Sequence, residues 1–205
     1  MSSPNRRPTC GTCLRAQSAC ICHFVTPVAS SVELLVLQHP LEVRNAKNSA
    51  RLLHLCIPGS RLLVGETFDP AELGEALRAD GRTPLLLYPE TPGEAALGLA
   101  PAPVIDSALL EHPGSLRLVL LDATWRKSRK MLYVNPSLQR LPRLALEDLP
   151  PSAYRIRKAH APDQMSSLEA AAYALSQLEN RPARYAPLFE AFNRFVEQQS
   201  ERFRA

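Results

Sequence analysis

The sequence predicts an α/β protein: a mostly parallel sheet with helices on both faces, preceded by a small cysteine-rich segment over residues 1–30. Three observations lead there. After residue 30 the chain carries short runs of consecutive apolar residues, the pattern of strands buried on both faces. Between them lie stretches whose apolar residues step by three and four, and strands alternating with helices imply a parallel sheet. The first thirty residues show neither period, yet hold four of the five cysteines.

The elements follow in order. Val32–Gln38 (VELLVLQ) is the first strand, ended by His39-Pro40. Val43, Ala46, Ala50 and Leu53 then share one helix face. Arg61–Val64 is a second strand, and Asp69-Pro70 opens a helix carrying Leu73 and Leu77. Pro84–Tyr88 is a third strand stopped by Pro89, and Leu116–Leu121 a fourth that runs into Asp122. Arg126–Val134 reads as a short amphipathic helix and Tyr154–Arg157 as a late strand. Ser166 and Glu169 have capping-box spacing ahead of an alanine-rich helix reaching Leu178. A last amphipathic helix spans Tyr185–Phe203. Ligands of such sheets bind beyond the carboxyl ends of strands, which singles out His39, Pro89 and Asp122.

At 205 residues, 45% hydrophobic and 21% charged, the chain can build one real core plus an appendage. We expect residues 1–30 to form the appendage and residues 31–205 the main domain. No apolar run reaches transmembrane length, and MSSPNRRPTC lacks the apolar stretch of a secretory signal. A cytoplasmic location with reduced thiols is therefore expected. Only eight residues are glycine, and neither a P-loop nor a Rossmann glycine motif occurs.

Cys10, Cys13, Cys20 and Cys22 fall in thirteen residues as C-x₂-C-x₆-C-x-C. Four thiolates this close can close a tetrahedral zinc shell, which is structural, with two disulfides or unliganded thiols as the alternative. A loop-rich segment of this size has almost no core, so a metal would supply its folding energy. His23 is superfluous to a four-cysteine site, and Cys56 reads as a buried small hydrophobe.

Charge is uneven. Residues 122–160 hold nine basic groups against three acidic ones, in a chain of net charge +4. That concentration suggests a polyanionic partner, nucleic acid above all, or else a solvated charged face. Within it, LRLVLLDATWRKSRKM sets a carboxylate directly after a strand, then a hydroxyl, the single tryptophan and four cations. Asp122 can accept a proton or a hydrogen bond, Trp125 can stack on a base, and the cations can hold phosphate. The alternative is a helix-capping Asp beside a core Trp.

Asp122-Ala123-Thr124-Trp125 resembles the D-x-T-W signature of the DTW-domain family. The cysteine cluster, HPLEVRNAKNSARLL at 39–53, LLYP at 86–89, YRIRK at 154–158 and MSSLEAAAYAL at 165–175 agree in the same order. One departure is Ser167, where the family pattern leads us to expect Thr; the hydroxyl is kept. The resemblance implies a SPOUT-like α/β fold and a tRNA-uridine aminocarboxypropyltransferase, which moves the 3-amino-3-carboxypropyl group of S-adenosylmethionine to N3 of a tRNA uridine. It implies catalytic roles for Asp122, Thr124 and Trp125, and cofactor contacts at Tyr88, Pro89, Leu121, Ser166, Ser167 and Glu169. With tRNA as the polyanionic partner, contacts are expected at Lys47 and, within the basic stretch, at Arg126, Arg129, Lys130, Arg155, Arg157 and Lys158. Zinc would sit on Cys10, Cys13, Cys20 and Cys22. Two other functions suit the same residues. One is a SPOUT-type S-adenosylmethionine-dependent RNA methyltransferase, and the other a non-catalytic zinc-containing RNA-binding module.

Overall fold

Leu34 and Val36 project to one side of the first strand and Leu35 and Leu37 to the other, and all four are fully buried. Such a strand needs a covering layer on each face, and the fold supplies both. The computed structural model describes residues 8–89, 101–146 and 165–202. Its strands are β1 (Glu33–Gln38), β2 (Arg61–Val64), β3 (Thr83–Leu87), β4 (Leu116–Asp122) and β5 (Arg143–Leu144). They form one sheet in the order β2-β1-β4-β3-β5, with every pair parallel.

On one face, Leu34, Val36, Leu85, Leu118 and Leu120 pack against helices α1 (Ala50–Cys56), α6 (Ser167–Glu179) and α7 (Pro182–Arg202). Cys13, Ile21, Phe24 and Val28 belong to this same buried cluster, so the cysteine-rich segment shares the main core. On the other face, Leu35, Leu37, Leu86, Val119 and Leu121 meet α2 (Pro70–Arg78), α4 (Trp125–Val134) and α5 (Pro136–Gln139). A short helix, α3 (Ser107–Leu110), precedes β4.

Sequence signals set most boundaries. Asp69 caps α2 by accepting from the Ala71 and Glu72 amides, with Pro70 in the first turn. Ser166 and Glu169 form the expected capping box at α6, and Asn180 ends that helix in the left-handed region. At the amino end of the sheet the fully buried Arg117 is held through its Nη atoms by Glu33 at 2.6 Å and by the carbonyls of Leu77 and Ala79 at 2.8 and 2.9 Å.

Two differences from expectation stand out. The helix read from Val43 starts only at Ala50. Residues 39–49 are instead a series of tight turns, closed by amides of Glu42, Asn45 and Asn48 on the carbonyls three residues earlier. The Asn45 and Asn48 side chains accept from the backbone N–H of Lys47 and Arg51, and such local bonds compete with helix. Helices α3 and α5 and strand β5 are too short, at two to four residues, to leave a periodic signal. The strand expected at Tyr154–Arg157 lies outside the described residues.

Candidate active site

The parallel register sets Gln38 opposite Asp122, so the carboxyl ends of β1 and β4 coincide beside that of β3. Asp122 is 3% exposed, and its carboxylate is clamped from three elements. Oδ2 accepts from Gln38 Nε2 at 2.8 Å and Asn48 Nδ2 at 2.6 Å, while Oδ1 accepts from Ser167 Oγ at 2.7 Å. Asn48 Oδ1 in turn accepts from Gln38 Nε2 at 3.3 Å, which fixes the orientation of its amide. Burial pushes the Asp122 carboxyl above its ordinary value, the three donors work against that, and the charge of Glu42 adds to the rise. Glu42 is itself buried, taking Asn45 Nδ2 at 2.8 Å and lying 3.8 Å from Lys127 Nζ.

Asp122 therefore does not cap a helix. Thr124 holds the N-cap position of α4, with no side-chain bond of its own to the helix amides. Nor is Trp125 a core residue: it is 47% exposed, and its ring stacks on Tyr88 at 5.4 Å and 7°. The Arg143 guanidinium lies on Tyr88 at 5.5 Å, so an aromatic platform stands at the end of β3 with one cation beneath it.

Along α4, Arg126 and Arg129 are exposed and make no ion pair among the described residues. Lys130 differs, since its Nζ is 2.8 Å from Glu66 Oε1. Glu66 Oε2 also meets Nε2 of the buried His39 at 3.0 Å, and His39 Nδ1 accepts from the Leu41 amide, so the Nε2 proton is the one donated. Lys130, then His39, hold the Glu66 carboxyl below the usual range.

The four cysteine sulfurs lie within 4.8 Å of one another, with Cys10–Cys22 at 3.7 Å and Cys13–Cys20 at 3.8 Å. A zinc tetrahedron with bonds of about 2.3 Å has edges of roughly 3.8 Å, whereas a disulfide needs about 2.05 Å. The cluster fits a metal ion. Backbone amides of Cys13 and Thr12 draw the Cys10 thiol down to about 6, while burial pushes Cys22 up to about 12. Cys56 is fully buried and apart from the cluster, as expected.

The DTW domain profile matches residues 7–200. The chain belongs to the DTW-domain family. A Mus musculus protein named tRNA-uridine aminocarboxypropyltransferase 2 is 36% identical over 182 residues, covering 85% of this chain and 57% of its own length. The Drosophila melanogaster protein of that name is 31% identical over 221 residues, covering 98% of this chain and 82% of its own. An Arabidopsis thaliana tRNA-uridine aminocarboxypropyltransferase A is 30% identical over 141 residues, covering 62% and 51%. The chain thus spans little more than half the length of its mouse relative. No solved structure matches it.

Of the DTW signature, Asp122 is the buried centre, Thr124 the start of α4 and Trp125 the exposed ring. Tyr88 and Pro89 directly follow β3, with Tyr88 under the Trp125 ring, and Leu121 is buried in the core under α4. Ser167 reaches Asp122, whereas Ser166 and Glu169 satisfy each other in the capping box. Lys47 lies half-buried in the 39–49 turns. Arg155, Arg157 and Lys158 fall outside the described residues. Sequence reasoning missed Gln38, Asn48, Glu42 and Arg143. The available signal was a polar side chain at the end of each apolar strand run, Gln38 in β1 as Asp122 in β4. Among the described residues no helix is long and apolar enough to cross a membrane.

Proposed function

We propose that this chain transfers the 3-amino-3-carboxypropyl group of S-adenosylmethionine to N3 of a uridine in tRNA, giving acp3U and methylthioadenosine. The observation that carries the reading is the buried Asp122 bonded to the half-buried Ser167, next to the exposed Trp125 ring stacked on Tyr88. The family match and the names of the relatives support it. A SPOUT-like lineage belongs to the same reading, supported by the all-parallel sheet and by a site beyond its carboxyl ends.

The sulfonium of S-adenosylmethionine makes its γ-carbon electrophilic, and uridine N3 attacks that carbon as the S–C bond breaks. This chain's residues have to orient N3 and take up the charge of its proton. Asp122 is too enclosed by protein donors to serve as a free base, so it acts through Ser167. Oδ1 holds the Ser167 proton, which leaves the lone pairs of the half-buried Oγ as the acceptor for N3–H. A carboxyl raised by burial is a better final proton acceptor than an ordinary aspartate. Trp125, backed by the buried Tyr88, stacks adenine or uracil. Arg126 and Arg129 bind phosphate, with Lys130 partly neutralised by Glu66. Zinc on Cys10, Cys13, Cys20 and Cys22 is structural, because four thiolates leave no open position for chemistry. Unbridged thiols suit a cytoplasmic protein.

The test is incubation with unmodified tRNA and S-adenosylmethionine, followed by nucleoside mass spectrometry. An aminocarboxypropyl adduct on uridine with release of methylthioadenosine is expected. A methyl adduct would turn the assignment to a methyltransferase, and tight tRNA binding without cofactor consumption to a binding module.

A further inference from the structure

The turns of residues 39–49 supply Asn48 to Asp122, yet beyond the single 3₁₀ turn of Pro40–Glu42 they contain no helix to hold that amide in place. Their backbone is held from the cysteine-rich segment. Arg15 donates through Nη1 to the Ala46 carbonyl at 2.7 Å and through Nη2 to the Asn48 carbonyl at 2.6 Å. Its guanidinium also lies on the Phe195 ring of α7 at 4.9 Å. In the opposite direction, Arg51 in the first turn of α1 donates to the Thr12 carbonyl at 2.5 Å. The Arg15 backbone is set by the cysteine turn: its carbonyl accepts from the Cys10 amide at 2.8 Å, and Leu14 before it is held at φ 62°. A non-glycine residue in the left-handed region persists only where its surroundings impose it.

We propose that Arg15 is a positioning residue for the transfer reaction, coupling the four-cysteine segment to the Asn48 clamp on Asp122. The path is short: Arg15 fixes the main chain at 46–48, the Asn48 side chain bonds Oδ2, and Asp122 bonds Ser167. A planar guanidinium can hold two carbonyls of one loop at once, which a lysine ammonium on its flexible stem does not reproduce. The inference rests on Asp122 belonging to the reaction site, and its test is chosen to separate the two.

The test compares Arg15→Ala and Arg15→Lys with the parent in the full chain. One readout is hydrogen exchange of the Asn48 side-chain amide, whose proton is bonded to the Asp122 carboxylate. The other is transfer kinetics, with metal content and melting temperature measured on each variant. We expect Arg15→Ala to retain its metal and to lose Asn48 protection. We expect its kcat to fall at least about tenfold, with a smaller change in KM, since small misplacements of reacting groups are costly. Arg15→Lys should lie between, and it decides the matter if the alanine variant does not fold. In an Asn48→Ala background, Arg15→Ala should add little, as residues acting through one another are non-additive. Unchanged Asn48 protection in a folded variant, or fully additive losses, overturns the proposal. A parent without transfer activity overturns the proposed function instead, while the exchange measurement still decides whether Arg15 holds the clamp.

Discussion

Ser167 is the residue that separates chemistry from architecture at this site. Asp122→Asn changes the chemistry while the packing can be kept. The amide Oδ1 still accepts from Gln38 and Asn48, and its NH₂ turns to Ser167 Oγ, a hydroxyl that accepts as well as donates. The Ser167 proton then loses its carboxylate acceptor and one Oγ lone pair is taken up, so transfer should fall far more than stability. Ser167→Ala removes one hydrogen bond to Asp122 and leaves both amide donors in place. We expect transfer to fall about 10²–10⁴-fold, a modest drop in melting temperature, and retention of both by Ser167→Thr. Steady-state kinetics beside thermal melts check this. An alanine variant that melts lower yet turns over at the parent's rate would reduce the pair to a structural tie. The partners of Asp122 were hidden in the sequence for a physical reason. Gln38 and Asn48 lie far from it along the chain, and only the β1–β4 pairing brings them together.

Elements were more legible than contacts. β1, β2, β3 and β4 lie within a residue of expectation: the buried runs of β1, β3 and β4 end sharply at Pro or at the polar Gln38 and Asp122, and the edge strand β2 ends before Gly65. The 39–49 turns were not legible, since asparagine side chains that bond their own backbone defeat a helical apolar spacing. Helix α4 shows what charge counting misses: its cations differ in what faces them. Arg126→Ala and Arg129→Ala should each weaken tRNA binding and lower the salt slope by about 0.7–0.9. Lys130→Ala should lower it less, because Glu66 already neutralises that ammonium. Affinity across a salt series distinguishes these, and equal slopes for all three would place the RNA elsewhere. At the far end of the sheet, the last turn of α6 holds the entry to β1. Glu179 takes the Ser31 and Val32 amides at 2.6 and 3.2 Å and Arg184 at 2.8 Å. Burial works to raise its carboxyl, but the Tyr185 hydroxyl and these amides prevail and hold it below the usual value. A lowered carboxyl stabilises the fold above the unfolded-state value of about 4.3, and that contribution is lost as pH falls through the folded value. Glu179→Gln should therefore melt below the parent at neutral pH, with the gap closing in acid. A gap independent of pH would assign Glu179 a packing role only.

At the scale of the whole molecule, the cysteine-rich segment behaves as part of the core and not as an attached finger. Ile21, Phe24 and Val28 are buried with the helices of α6 and α7. Gln198 Nε2 donates to the Cys20 carbonyl at 3.2 Å and Arg202 Nη1 to that of Ser18 at 2.5 Å. Segments joined by a shared apolar cluster unfold together, so the metal's stabilisation should reach the entire domain. We expect one zinc per chain. We also expect a strong chelator to lower the main calorimetric transition as a single event, without splitting off a small early one. Structural zinc binding is worth about 10–16 kcal/mol in isolated modules, of which an already folded scaffold would recover only a part, because some of the segment's packing survives without the ion. Cys22→Ser should reproduce the chelated transition. It should also reduce transfer more than its stability loss explains, because Arg15 ties the segment to Asn48. An apo protein whose main transition is unmoved, with residues 8–30 alone becoming protease-sensitive, would show the segment to be an independent module and would leave Arg15 without its anchor.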